Sequence, residues 1–221
     1  MAMFFHRRIV IRRKAIHPDK AKLVFRDGQT TTIMGKPFTI SVSPDQKAKY
    51  ATARAKDGAV KIKVPEGLKP SIRESHISNL SRRAITRAVL PEVENHVREL
   101  NDIHFKSELG AVRLKDNLSN WGSCSRKNNI NLDFRLLLGP AEIMDAVIVH
   151  ELAHTKHRNH SKEFYGTLLA VMPDNKKRLR WLRDNGSKLS TENAGVEYIT
   201  KPPIQQETSL PKPDMPIWQL P

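Results

Sequence analysis

Four of the nine histidines in the chain fall within eleven residues: His150, His154, His157 and His160. Glu151, Leu152 and Ala153 separate the first two, which gives a histidine–glutamate–x–x–histidine run. Residues four apart on an α-helix lie about 40° apart around its axis, so His150 and His154 present their imidazoles to one point. Two imidazoles so placed suit one Zn2+ ion. Glu151, rotated by about 100° from His150, then sits beside the ion rather than on it. A carboxylate there can take the proton of a water made acidic by the ion. The preceding turn, Ala146 to Val149, is apolar and predicts that the helix enters the core. Histidine and glutamate directly after such a stretch are costly unless metal-bound or held as a hydrogen-bonded structural pair, the plainer alternative.

The third ligand depends on where the helix ends. A helix continued through residue 157 would keep His157 about 20° from His150, on the same face. A turn at Arg158-Asn159 would swing His160 back toward the ion. Asparagine tolerates the left-handed conformation that ends helices, and Ser161 is placed to cap the next one. This favours a break between 157 and 160, with His160 as ligand. Glu163 is the remaining alternative, and its plain reading is an acidic residue in a helix's first turn. Cys124 is a lone thiol, more simply a buried structural one than a nucleophile or ligand.

The elements that must hold these groups change in character along the chain. Residues 9–66 read as β structure: Ile9 to Ile11, Leu23 to Phe25, Thr30 to Met34, Phe38 to Val42 and Ala59 to Val64, with Asp27-Gly28 as a hairpin turn pair. From Ser71 the period becomes helical. Ser71 and Glu74 form a capping box, and Ile77, Leu80, Ala84 and Ala88 follow on one face. Pro91 is expected to break or kink that helix. Val112 to Leu114 and Ile130 to Leu132 read as strands around the loop 117–129. The second is taken as an edge strand beside the metal helix, which is placed near residues 140–157. Trp121 in the loop either plugs the core or belongs to a peptide-binding edge. Two shorter helices, Lys162 to Met172 and Asn175 to Asp184, complete the domain.

Composition bounds the rest. The 221 residues carry a formal charge of +15, with a pI near 10.1. One cysteine excludes an internal disulfide framework and fits a reducing compartment. No apolar run approaches the roughly 20 residues of a membrane helix, and the Arg-rich start lacks the apolar core of a secretory signal. A cytoplasmic protein without membrane contact is expected. Residues 187–221 hold six of the fourteen prolines and more acidic than basic groups, so they read as a disordered tail. The expected division is 1–70, an N-terminal β region; 71–186, the metal-dependent domain; and 187–221, the tail.

Several of these stretches together resemble the YgjP-like metallopeptidase family, zincin-type hydrolases related by pattern to minigluzincins and SprT-like/WLM proteases. They are Trp121-Gly122-Ser123-Cys124-Ser125, Ile130 to Asp133, Leu136 to Pro140, Val147 to His154 and Asn159-His160-Ser161. Phe164-Tyr165 and Pro173-Asp174 through Trp181-Leu182 fit as well, and Gly35 to Phe38 and Lys63 to Pro65 more loosely. The resemblance implies His150, His154 and His160 as zinc ligands and Glu151 as catalytic base. Two departures, Asp133 for a frequent asparagine and Tyr165 for a frequent tryptophan, bear on substrate preference.

The expected fold is α+β: a zincin-like domain with N-terminal β-hairpins. The expected activity is hydrolysis of a peptide or protein by an ion-activated water, with Tyr165 or His157 as oxyanion stabiliser. Two alternatives share the metal. A basic cleft could act on a nucleotide as a pyrophosphatase or phosphohydrolase, although no Gly-rich phosphate cradle is visible. A nucleic-acid-associated module could use the metal only structurally and bind through basic residues such as Lys176 to Arg183. The sequence leaves the oligomeric state open.

Overall fold

The structure is a computed structural model that describes residues 22–117 and 119–192. The expected strand at Ile9 to Ile11 lies outside the described residues, as does most of the proline-rich tail.

Two sheets and four helices give the α+β architecture that the sequence predicts. Strands β1 (Thr30–Ile33), β2 (Lys36–Asp45), β3 (Thr52–Lys56) and β4 (Ala59–Pro65) form a sheet of order β1-β2-β4-β3. Its hairpins turn at Met34-Gly35 and Asp57-Gly58, where both residues of each pair have positive φ. That conformation matches the twist of the flanking strands. Asp27-Gly28 instead turns the chain ahead of β1, and Asp27 accepts a hydrogen bond from the Val42 amide at 2.8 Å. β3 escaped the sequence reading because Thr-Ala-Arg-Ala-Lys lacks large β-branched or aromatic residues. Alternation along β4 buries Val60, Ile62 and Val64 toward helix α1 (Pro70–His104).

Helix α1 is continuous for 35 residues and Pro91 lies inside it. A proline in a helix interior costs about 3 kcal/mol. Pro91 is exposed, while Val89, Val93 and Val97 are buried around it. Each buried side chain of that kind contributes roughly 1.5–3 kcal/mol, so packing outweighs the lost hydrogen bond. The capping box does not form. The helix starts one residue before Ser71, with Pro70 at its first position, and the amides of Ile72 and Arg73 both donate to Lys69 O.

The second sheet has order β5-β7-β6, from β5 (Val112–Lys115), β6 (Gly122–Cys124) and β7 (Ile130–Asp133). β7 is therefore central and buried along its whole length, and β6 is the edge strand that packs on the later helix 141–153. The expectation of an edge at Ile130 to Leu132 is corrected: β6 pairs with it as an antiparallel hairpin on one side and β5 pairs parallel on the other. Trp121 is buried with its ring against Gly186, so it plugs the core directly before that edge begins.

A 3-10 turn, Phe134–Leu138, leads into α2 (Ala141–Ala153), which is buried from Ile143 to Val149. A helix apolar on all sides belongs in the centre of a fold. Helices α3 (Lys162–Val171) and α4 (Asn175–Asn185) pack on it, and the Ser161 hydroxyl caps α3 by accepting from the Phe164 amide. The buried apolar residues form one cluster running from Leu23 to Leu189. Residues 187–192 differ from the expected tail. Leu189, Ser190 and Thr191 are buried, Gln29 donates to Thr191 O at 2.8 Å, and the Thr191 hydroxyl donates to Val24 O.

Candidate metal and catalytic site

Helix α2 stops at Ala153, earlier than the break expected between 157 and 160, and His154 is its C-cap. Competing hydrogen bonds end it. The Thr155 hydroxyl donates to Leu152 O at 2.6 Å, and the amides of Thr155 and Lys156 donate only three residues back, to Leu152 O and Ala153 O. The chain then doubles back and delivers His160 to the helix end. One ring nitrogen each from His150, His154 and His160 lie within 4.8 Å of one another, the three-residue cluster among the described residues that could hold a metal ion.

The donor set fits a divalent ion. Nε2 of His150 and Nε2 of His160 face each other at 3.1 Å. Two nitrogens bound at about 2.0–2.1 Å in tetrahedral geometry stand about 3.3 Å apart. His154 uses Nδ1 to donate to His157 O at 3.0 Å, which fixes the tautomer and leaves Nε2 with its lone pair. Burial holds the His150 imidazole down, to about 3, with the two neighbouring histidines adding to the effect; burial likewise lowers His154 and His160. All three are thus neutral at ordinary pH, the state in which an imidazole can hold a metal ion. Phe164, fully buried, touches all three, with ring centroids 5.1, 4.6 and 4.7 Å from those of His150, His154 and His160.

Glu151, which directly follows His150 in the chain, is 6% exposed and lies against edge strand β6 at Gly122. Burial pushes its carboxyl up to about 8, opposed by a hydrogen bond from the Cys124 amide. Gly122 makes the approach possible: a Cβ there would meet Glu151 and the Val147 side chain. On β7, Asn131 donates to the Ser123 hydroxyl at 3.1 Å and steadies the same edge.

The alternatives for the third position go elsewhere. His157 Nε2 meets the Thr167 hydroxyl at 3.0 Å. Glu163 is exposed at the start of α3, its carboxyl held low by the Ser161 hydroxyl and its own amide. Burial raises the Cys124 thiol, which makes it a poorer nucleophile, and its Sγ is outside the metal cluster. Tyr165 stands half-exposed with its ring 6.1 Å from that of His160.

Sequence reasoning missed Arg158. Its guanidinium donates to Ser125 O at 2.7 Å, to Arg126 O at 3.3 Å and to the Asn128 side chain, so it ties the loop after β6 to the turn carrying His160. A lone arginine in a charged stretch carries no spacing signal. Phe164 was visible only as part of a motif, with no hint that it underlies the histidines.

The profile of the family described as "YgjP-like, metallopeptidase domain" matches residues 5–185. The chain belongs to the YgjP-like metallopeptidase family. Among solved structures, the crystal structure of the metallopeptidase zymogen of Pyrococcus abyssi abylysin is similar, at 26% identity and a TM-score of 0.38. The match covers 42% of this chain and 93% of that one. No curated protein matches the chain significantly. Membership of the YgjP-like family supports a metal-dependent peptidase and implies a divalent ion, with which the three-histidine cluster agrees. Asp133, one of the two departures from the YgjP-like pattern, is fully buried and faces Arg135 rather than the histidines. The other, Tyr165, stands beside them. No helix among the described residues is long and apolar enough to cross a membrane.

Proposed function

We propose that the chain is a zinc-dependent peptidase in which His150, His154 and His160 hold the ion and Glu151 is the general base. The observation that carries this reading is the convergence of three neutral imidazoles beside one buried carboxyl. Zinc suits a set of imidazole donors, and three protein ligands leave a position open. When bound, the ion supplies a Lewis acid that lowers the pKa of water and polarises a carbonyl.

The chain's own groups do the rest. The carboxyl of Glu151 is pushed up to about 8 by burial, and a cation held beside it would favour the ionised form that acts as a base. It takes a proton from the attacking water on a carboxylate oxygen and returns it to the leaving amine. The Cys124 amide fixes that carboxylate. The outer edge of β6 offers amides and carbonyls to an extended peptide, which binds as an added strand. Tyr165, exposed beside His160, is the better placed of the two oxyanion candidates, since His157 is engaged with Thr167.

The test combines elemental mass spectrometry of purified protein with cleavage of an unstructured protein substrate such as casein. Expected are about one zinc per chain and cleavage that Glu151→Gln abolishes while zinc stays bound. Zinc-free protein after supplementation, or full cleavage by Glu151→Gln, would overturn the reading. Nucleoside triphosphate hydrolysis lost in Glu151→Gln, without proteolysis, would replace it with the phosphohydrolase alternative.

A further inference from the structure

Where β3 meets α1 the structure holds a cavity of about 240 Å3, lined by Ala51, Ala53, Leu80 and Ala84 together with Arg83 and Arg87. None of these residues belongs to the histidine centre. β3 is the last strand of its sheet, and its outer backbone edge has no backbone partner among the described residues. Thr52, Arg54 and Lys56 are exposed along it, alternating with half-buried Ala53 and Ala55.

Charge around this cavity is one-sided. Between Asp45 and Asp57 the chain carries Lys47, Lys49, Arg54 and Lys56, of which Lys56 pairs with Asp57 at 3.8 Å. α1 is itself divided: up to residue 87 it has Arg73, Arg82, Arg83 and Arg87 against Glu74, and beyond it Glu92, Glu94, Glu99 and Asp102 against Arg98. Arg54, Arg83 and Arg87 have no carboxylate at ion-pair distance among the described residues. Arginines without a carboxylate partner among the described residues, an open strand edge and a cavity lined by small side chains thus coincide.

We propose that this groove binds an extended acidic segment of a partner protein, which adds as a fifth strand beside β3 and sets carboxylates against Arg83 and Arg87. Alternate residues on one face of such a strand lie about 6.8 Å apart, and arginines four apart on a helix have Cβ atoms about 5–6 Å apart, so two carboxylates reach two guanidiniums. The alanines leave room for the segment's other side chains. Main-chain bonds to the edge supply affinity, and the arginines supply selectivity. A nucleic acid fits less well. A strand edge sets carbonyl oxygens against phosphates, and no aromatic ring lines the cavity for bases to stack on. The groove stands apart from the peptidase reading and does not depend on it.

The test uses the full chain, and its Glu151→Gln form so that cleavage of a probe cannot mimic release. Fluorescence anisotropy is read with three labelled probes: a ten-residue peptide alternating Glu and Val, its Lys/Val counterpart, and a ten-nucleotide oligo-dT. Amide hydrogen exchange is followed in parallel. Expected is binding of the Glu/Val peptide with slowed exchange at residues 52–56. Arg83→Glu/Arg87→Glu should weaken that binding at least about tenfold and admit the Lys/Val peptide, a swap that misfolding cannot produce. No binding of the Glu/Val peptide, binding unaltered by the charge reversal, or protection confined to other elements would overturn the proposal. So would oligo-dT binding through the same arginines without protection of β3.

Discussion

The backbone of Gly122 lies so close to Glu151 that a Cβ there would stand 2.7 Å from Oε1 and 2.8 Å from Cγ. The same carbon would meet Cγ1 of Val147 at 2.9 Å. The edge strand and the carboxylate therefore occupy space that only glycine leaves. Gly122→Ala should destabilise the fold by about 1–3 kcal/mol, as overpacking does, and displace the carboxyl. Urea unfolding should show the loss, and peptide cleavage should fall with it. Adding Val147→Ala should restore part of the stability, and less of the activity, because the contact with Glu151 persists.

His160 and His157, three residues apart, should behave as opposites. His160 points into the cluster and His157 into a bond with Thr167. Competition with a chelating dye at pH 7.5 should show His160→Ala losing at least about 100-fold in zinc affinity, and His157→Ala less than about tenfold. Equal losses would show that the metal is held differently.

A pH-dependent link joins α1 to α2. His96 Nε2 lies 2.6 Å from Asp145 Oδ1, and this bond raises the histidine above its ordinary 6.5 against the opposing effect of burial. The charges of Asp145 and Glu99 add to the rise. A raised folded pKa means that the folded state holds the proton more tightly. The stabilisation is therefore fully present below pH 6.5 and disappears as pH climbs through the folded pKa. His96→Gln should lower unfolding stability by about 1 kcal/mol at pH 5.5 and by little at pH 9, measured by denaturant titration at both.

Asp133 ends β7 as a fully buried carboxylate that accepts from the amides of Asn117 and Arg135 and pairs with the Arg135 guanidinium at 3.2 Å. Asp133→Asn removes the fully buried partner of that guanidinium, itself 6% exposed, while the more exposed Asp116 at 2.7 Å stays. A loss of about 3 kcal/mol is expected in thermal unfolding. Asp133→Asn/Arg135→Leu should recover part of it, because no buried charge is then left poorly paired. Catalytic preference should not follow Asp133, in contrast to Tyr165.

What could be read from the sequence was local. The spacing of His150, Glu151 and His154 needs only one helix, and the strands at Thr30, Phe38, Ala59, Val112 and Ile130 announce themselves by β-branched and apolar residues. What could not be read depended on how elements pair and pack and on side chains that compete for backbone bonds. Whether β7 is central or marginal is decided by where β5 and β6 attach. Pro91 remains in a helix because Val89, Val93 and Val97 pack beneath it, which no local rule weighs. The end of α2 at Ala153 arises from Thr155, whose hydroxyl competes for the helix's carbonyls, while the signal at Asn159 lies six residues too late. Arg158 acts only through backbone carbonyls and one asparagine of another loop.

The bonds from Thr191 to Val24 and from Gln29 to Thr191 span 167 and 162 residues of chain, and Arg26 meets Glu192 at 2.7 Å beside them. Synthesis runs in the other direction. The segment 24–29 leaves the ribosome early and waits for almost the whole domain to follow before its partner emerges. Closing so long a loop costs only slowly more entropy than closing a short one, so the delay lies in translation rather than in chain search. Until then the first sheet is without this fastening, and Thr191 and Glu192 are what supply it.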